Sequence, residues 1–355
     1  MNREKLIAAC EGAILKQAKE RFNLDMETLS QFEAFEGCAN LVYECVRSGQ
    51  PVILRVSFRS DRTYEQLLAE VDFIQYLAGH GVLVSEPIIS EAGNFVERMP
   101  LDGQSVFLVC FEKGRGMRVP DNQYRYREDV PIEEYFQNWG AALGKMHRLS
   151  RKYHPPSSTI CRPDWFELHA EKLDLDHMIP ATLPLVREQL ERLLDDIRGL
   201  PRDREGFGLI HGDFNDGNFT VDYTNGDLTI FDFDDSCYFW FAYELAAAWE
   251  GGIGRVMFQG LEKRRTFMDD YMGHVLRGYQ GENSLPDQCL EQIPLFIKLI
   301  QAEEFLHYVR YFPTQDPETS AHLRYLIACI ERDLPYMGFY ESIYSHEKPF
   351  LLDVD

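Results

Sequence analysis

Hydrophobic and polar positions along the chain change period near residue 112. Before it, short runs of apolar residues bounded by turn formers predominate: Gln31–Gly37, Asn40–Arg47, Pro51–Phe58, Val82–Ile89, Asn94–Arg98 and Ser105–Phe111. Ser48-Gly49-Gln50 between the second and third runs has the composition of a hairpin connection. One helical stretch interrupts them, about 62–78, with Leu67, Val71, Ile74, Leu77 and Ala78 on one stripe, Asp61 as the expected N-cap, and Gly79 and Gly81 as stop signals. A first helix is expected over residues 1–22, where Leu6, Cys10, Ile14 and Ala18 recur at helical spacing. These elements predict a five-stranded antiparallel sheet with one packed helix.

Glu112 to Val130 is dense in charge and carries two glycines and a proline, which marks a connection between lobes. Residues 1–112 and 113–355 are therefore expected as separate lobes, with a hinge near 110–116. Beyond it the period is helical over about 131–149, 183–198, 260–278, 288–310 and 317–332, interrupted at 207–235 by strand-like pieces around Asn225-Gly226. The expected fold class is α+β, bilobal, with a small sheet lobe and a larger, mainly helical one.

A chain of 355 residues exceeds what one hydrophobic core usually supports, in keeping with two lobes. Its 36 basic and 58 acidic side chains leave a net charge of −22, which disfavours nucleic acid and anionic membranes as partners. Residues 1–22 lack the continuous apolar block of a secretion signal, and Tyr238 to Trp249 is too short to span a bilayer and contains Glu244. Eight scattered cysteines form neither Cys-x-x-Cys pairs nor a disulfide framework, so reduced thiols and a cytoplasmic location are expected.

The chemistry concentrates in His211-Gly212-Asp213-Phe214-Asn215-Asp216-Gly217-Asn218, followed after a short hairpin by Leu228-Thr229-Ile230-Phe231-Asp232-Phe233-Asp234. Phosphoryl transfer requires a divalent ion to neutralise phosphate charge and a carboxylate aligned with the attacking hydroxyl. Asp213 can be that carboxylate; Asn218 and Asp232 offer hard oxygen ligands that suit Mg2+ better than zinc. A calcium loop beginning at Asp213 fails on spacing, because its sixth position is Asn218 instead of glycine and its twelfth is Thr224 instead of glutamate. His211 reads as a hydrogen-bonded support for the loop, and Asp234 as a neighbour that tunes the metal ligand. Asp216 reads equally as a functional group or as a solvated acid.

In the first lobe, Arg55 lies in the apolar strand Val52–Val56, and Glu70 lies inside the apolar stripe of the following helix. A carboxylate there needs a cation, and an Arg55–Glu70 pair would aim a rigid guanidinium at nucleotide phosphates. Neither a Walker-type phosphate loop nor a Gly-x-Ser-x-Gly elbow occurs.

His-Gly-Asp-x-x-x-x-Asn followed by an apolar strand ending in aspartate resembles the aminoglycoside phosphotransferase, choline kinase and homoserine kinase-like superfamily. The resemblance implies a protein-kinase-like fold, ATP as donor, Asp213 as catalytic base, and Asn218 and Asp232 as magnesium ligands. It also implies that Gly37, Ala39 and Asn40 cover the nucleotide, in place of a three-glycine loop, and that the backbone around Cys110 and Glu112 reads the adenine edge. Lysine is commoner in the family where this chain has Arg55, although choline-kinase-like members use arginine. The acceptor is expected to be a small molecule with a hydroxyl, lined in the second lobe by candidates Trp240, Tyr243, Glu303, His307 and Arg310. Aromatics at such spacing also serve as core, and the Glu303–His307–Arg310 stripe is also a plain exposed helix face. A serine/threonine protein kinase of the bacterial stress-response type and a nucleotide-binding pseudokinase are the alternative readings, the latter disfavoured by the intact Asp213, Asn218 and Asp232.

Overall fold

Short strands with alternating burial assemble the first part of the chain into an antiparallel sheet. This is seen in a computed structural model that describes residues 13–32, 40–59, 61–101, 104–256, 259–311 and 317–333. A helix α1 (Leu15–Phe22) leads into β1 (Asp25–Gln31), β2 (Asn40–Arg47) and β3 (Gln50–Ser57); α2 (Tyr64–Gly79) intervenes before β4 (Pro87–Ile88), β5 (Val96–Leu101) and β6 (Gln104–Glu112). The order is β1-β2-β3-β6, with β4 and β5 both pairing with the far edge of β6, so the sheet has six strands and not five. The additional strand is β1, on Asp25–Gln31, earlier than the run expected at Gln31–Gly37. Its burial is slight, as befits an edge strand, and that leaves it without an apolar alternation to read. Residues 33–39 lie outside the described residues.

Turn chemistry sets the register of the central hairpin. Ser48 and Gly49 both have positive φ, 51° and 80°, the type I′ combination that matches strand twist, and Arg47 pairs with Gln50 across it. One sheet face packs Leu41, Tyr43, Cys45, Leu54, Val56, Leu108 and Cys110 against Ile14, Leu15, Ala18 and Phe22. In α2, Leu67, Val71, Ile74 and Leu77 are buried. Thr63, not Asp61, caps that helix: its hydroxyl accepts the Gln66 amide while the Gln66 side chain accepts the Thr63 amide. Asp61 is engaged by Arg59 and Arg62 instead.

The chain divides into two compact units that are not contiguous in sequence. The first comprises the described residues up to Asp121 together with Tyr153–Arg162 and Phe219–Asp234; the second comprises Asn122–Lys152, Pro163–Asn218 and the described residues from Asp235 onward. The hairpin Phe219–Val221 with Leu228–Ile230 belongs to the first unit, where Val84 bridges Ile230 and Met117 bridges Val221.

The second unit is helical: Ile132–Ser150, Pro184–Arg198, Phe241–Val256, Leu261–Glu282, Ile293–Tyr311 and Pro317–Glu331 are its long elements. A two-stranded ribbon, Phe207–Ile210 against Cys237–Trp240, runs among them. The stretch expected at 288–310 is broken into Asp287–Leu290 and Ile293–Tyr311, with Pro294 in the first turn of the latter, where its missing amide hydrogen costs nothing. Gly251, Gly252 and Gly254 lie inside the helix Phe241–Val256; a methyl at Gly252 would stand 2.5 Å from the Tyr271 ring. No helix among the described residues is long and apolar enough to cross a membrane.

Candidate active site

In the second unit, the strand Phe207–Ile210 delivers His211 and the loop that follows. Gly212 has φ +88°, and a side chain there would meet the Asp235 carbonyl oxygen at 2.2 Å, so only glycine fits. His211 is buried, and its Nδ1 accepts the Asp213 amide at 3.3 Å. The Asp213 carboxylate is held at both oxygens: Asn215 Nδ2 donates to Oδ1 and Asn218 Nδ2 to Oδ2, each at 2.8 Å. Asn218 Nδ2 also donates to the Asp213 carbonyl oxygen at 2.8 Å, which leaves its Oδ1 as the atom able to serve a cation. The Asp213 carboxyl is reached by solvent yet lies within dense protein. That desolvation, with Asp235 nearby, moves its pKa up, while His211 and the two amides pull the other way.

A buried polar chain supports the loop from behind. The Gly212 amide donates to Glu244 Oε1 at 2.9 Å, and Glu244 Oε2 lies 2.7 Å from His147 Nε2. His147 Nδ1 is 2.9 Å from the Tyr279 hydroxyl, which accepts from Asn283. Burial holds the His147 pKa down despite Glu244. Burial works against ionisation of Glu244 as well, but its bonds to His147 and Gly212 prevail and lower its pKa. The arrangement is thus a neutral imidazole donating from Nε2 to a carboxylate and accepting at Nδ1 from tyrosine.

The first unit contains the remaining polar residues of interest. Arg55 and Glu70 form a bidentate pair, Nη1–Oε1 and Nη2–Oε2 both 2.8 Å, with Arg55 5% exposed and Glu70 fully buried. Arg55 Nη1 is 3.9 Å from Asp232 Oδ1, and its guanidinium lies over the Phe111 ring. Asp232 is half-exposed and has φ 65°, a strained value for a residue with a side chain. Two residues on, Asp234 accepts from Arg59 at 2.6 Å and from Asn40 at 3.3 Å, and its carbonyl oxygen accepts from Arg162 at 2.5 Å. Burial alone would raise the Asp234 pKa, but Arg55, Arg59, Arg62 and Arg162 outweigh it and hold the group ionised.

Asn40 thus contacts Asp234, while Gly37 and Ala39 lie outside the described residues. Cys110 is buried in β6, which pushes its thiol up to about 12, and the Glu112 amide is donated to the Glu86 carbonyl oxygen.

Of the acceptor candidates, the structure joins Tyr243 and Glu303, whose hydroxyl and carboxylate are 2.9 Å apart. Desolvation, reinforced by Asp235 and Asp213 and opposed by Lys172 and Tyr243, pushes Glu303 up to about 7. Trp240 is core, packed with Phe207, Phe239 and Phe296, its indole donating to Pro201. His307 and Arg310 are exposed, His307 against Tyr311 and Arg310 3.5 Å from Glu171. Sequence reading does not single out Glu244, His147, Arg59 or Arg162. Glu244 had a signal, a carboxylate within an apolar run, of the kind that marks Glu70; Arg162 lies 72 residues from its partner and had none.

Among the described residues no group of three or more His, Cys, Asp or Glu is placed to hold a metal ion. Asn218 Oδ1 and the half-exposed Asp232 carboxylate are each hard oxygen donors of the kind that suits magnesium.

A family model described as "Phosphotransferase enzyme family" matches residues 31–280. Amicoumacin kinase of Bacillus subtilis (strain 168) is 29% identical over 293 residues, covering 81% of this chain and 82% of the relative. A solved structure of amicoumacin kinase hAmiN in complex with AMP-PNP, Ca2+ and Ami superposes with a TM-score of 0.83 at 28% identity, over 94% of this chain and 97% of that one. The microcompartment-associated aminopropanol kinase shares the fold, with a TM-score of 0.69 at 19% identity over 90% and 94% of the two chains.

Proposed function

This chain belongs to the phosphotransferase enzyme family, and we propose that its acceptor is amicoumacin-like, with Asp213 as the base and Asn218 and Asp232 as the magnesium ligands. It is a kinase that moves a phosphoryl group from ATP to a hydroxyl of a small molecule. The acceptor reading is supported by the two amicoumacin kinases, one compared in sequence and one in structure, that align with four fifths or more of the chain.

The observation that carries the residue roles is the clamped Asp213 carboxylate. With Asn215 and Asn218 each holding one oxygen, the group is oriented before substrate arrives, and its raised pKa makes it a better proton acceptor than an ordinary aspartate. The acceptor hydroxyl oxygen attacks the terminal phosphorus, its proton passes to Asp213, and the bond to the bridging oxygen breaks with its electron pair leaving on ADP. Arg55, locked by Glu70 into one orientation, presents its outer donors to phosphate oxygens. A magnesium ion held by Asn218 and Asp232 would neutralise phosphate charge. Glu244 and His147 keep the loop backbone fixed while the proton moves. We place the reaction in the cytoplasm, which supplies ATP and keeps thiols such as Cys45, Cys110 and Cys237 reduced.

The test is ADP release with ATP, Mg2+ and amicoumacin, with mass detection of a phosphorylated product. Asp213→Ala should lower kcat by about 10²–10⁴-fold. Turnover equal to wild type would remove Asp213 from its role, and ADP release without modified amicoumacin would remove that acceptor.

A further inference from the structure

Asp216 is not a solvated acid. Its Oδ1 accepts from the Tyr135 hydroxyl and its Oδ2 from Arg255, so both carboxylate oxygens are taken by side chains from two different helices, Ile132–Ser150 and Phe241–Val256. Arg255 is only 14% exposed at its side chain. Its guanidinium is enclosed by the rings of Tyr124, Tyr135 and Phe136, with centroids at 5.6, 5.5 and 5.8 Å. Aromatic faces replace water around that cation without cancelling its charge, and its Nη2 donates to Asp216. The segment that supplies the outermost ring is itself held in a costly backbone conformation, with φ 55° at Gln123 and 58° at Tyr124, two successive residues in the left-handed region.

The place of this brace in the chain gives it meaning. Asp216 follows directly on Asn215, which holds Asp213 Oδ1, and stands two residues before Asn218, which holds Oδ2. The loop is tied at its start by Glu244 on the Gly212 amide; Tyr135 and Arg255 tie its far half. A carboxylate serving solubility would face water, whereas this one is anchored where a small shift would displace both amides that aim the base.

We propose that Arg255 and Tyr135 are positioning residues for phosphoryl transfer, acting through Asp216 to hold Asn215, Asn218 and hence the Asp213 carboxylate in register. The inference rests on the reading of Asp213 and Asn218 given above. It assigns a mechanical task to residues that touch neither nucleotide nor acceptor.

The experiment is a kinetic series on the full chain with ATP, Mg2+ and amicoumacin: Asp216→Asn, Tyr135→Phe, Arg255→Met, the double variant of Asp216→Asn with Arg255→Met, and Asp213→Ala. Each brace variant should lose about tenfold to a hundredfold in kcat, with KM for ATP within about twofold of wild type because substrate binding is not what the brace serves. The Mg2+ concentration for half-maximal rate should rise, since Asn218 is displaced. The double variant should be no slower than Asp216→Asn alone, because both changes cut the same link. Tyr135→Phe removes one hydroxyl and keeps the ring, so it decides the matter even where Arg255→Met does not fold. A wild-type kcat in Tyr135→Phe and Asp216→Asn, or losses that multiply in the double variant, would overturn the brace. If Asp213→Ala is inactive in that case, the reading of the base survives; if Asp213→Ala also turns over normally, both are overturned.

Discussion

Glu303 and Glu70 show how differently two carboxylates of the same kind behave once their surroundings are set. Glu303 is pushed up from the ordinary 4.5 to about 7 by desolvation first, then by Asp235 and Asp213. Its folded-state value lies above its unfolded one, so the stability it contributes is complete below about 4.5 and is lost as pH rises through about 7. Glu303→Gln should therefore show a smaller fall in Tm than wild type between about pH 5 and about pH 8, checked by thermal melts across that window. An unchanged pH profile would deny Glu303 that elevated value. Glu70 has a guanidinium at bonding distance on both oxygens. Glu70→Ala leaves Arg55 buried opposite an empty space and should cost about 3–5 kcal/mol in a urea denaturation series. This pair was legible before any coordinates, because an acid inside an apolar helical stripe demands a cation on the adjoining sheet. The Arg59, Arg62 and Arg162 cluster on Asp234 was not, because no periodicity connects residues that meet only when the chain has folded.

At the scale of elements, two helices of the second unit cross at backbone distance. A methyl at Gly140 would stand 1.9 Å from the Val275 carbonyl oxygen, one at Gly278 would stand 2.0 Å from that of Gln137, and one at Gly144 would stand 2.6 Å from that of Tyr279. The same approach brings Tyr279 to His147, and through it reaches Glu244 and the Gly212 amide. Gly140→Ala would gain about 1 kcal/mol of helix propensity. The clash is with backbone and cannot be relieved by a rotamer, so its cost of about 1–3 kcal/mol or more prevails. The variant should be less stable by urea denaturation and slower in turnover; greater stability would show that the helices can separate without consequence. Helices were the best-read elements here, since a 3.6-residue stripe survives in sequence. β1 went unread, since an exposed edge strand has no apolar alternation to reveal it.

For the whole molecule, a net charge of −22 implies self-repulsion that screening by salt should relieve. Raising NaCl from low to moderate concentration should raise Tm, by about 2–4 °C per kcal/mol of repulsion removed, and a flat response would mean that the acids are already neutralised in local pairs. Several are, as at Asp61, Asp216 and Asp234. Sequence alone pointed to the reaction class, because His-Gly-Asp-x-x-x-x-Asn and the apolar strand ending in Asp232 resemble the family whose model matches residues 31–280, and it determined the change from sheet to helix, because each carries its own period. The tertiary structure alone decided that Tyr153–Arg162 and Phe219–Asp234 join the first unit, that Trp240 is core while Tyr243 meets Glu303, and that Asp216 is anchored and not solvated. Those outcomes depend on contacts between residues tens of positions apart, whose free energy exists only once the intervening chain has been ordered.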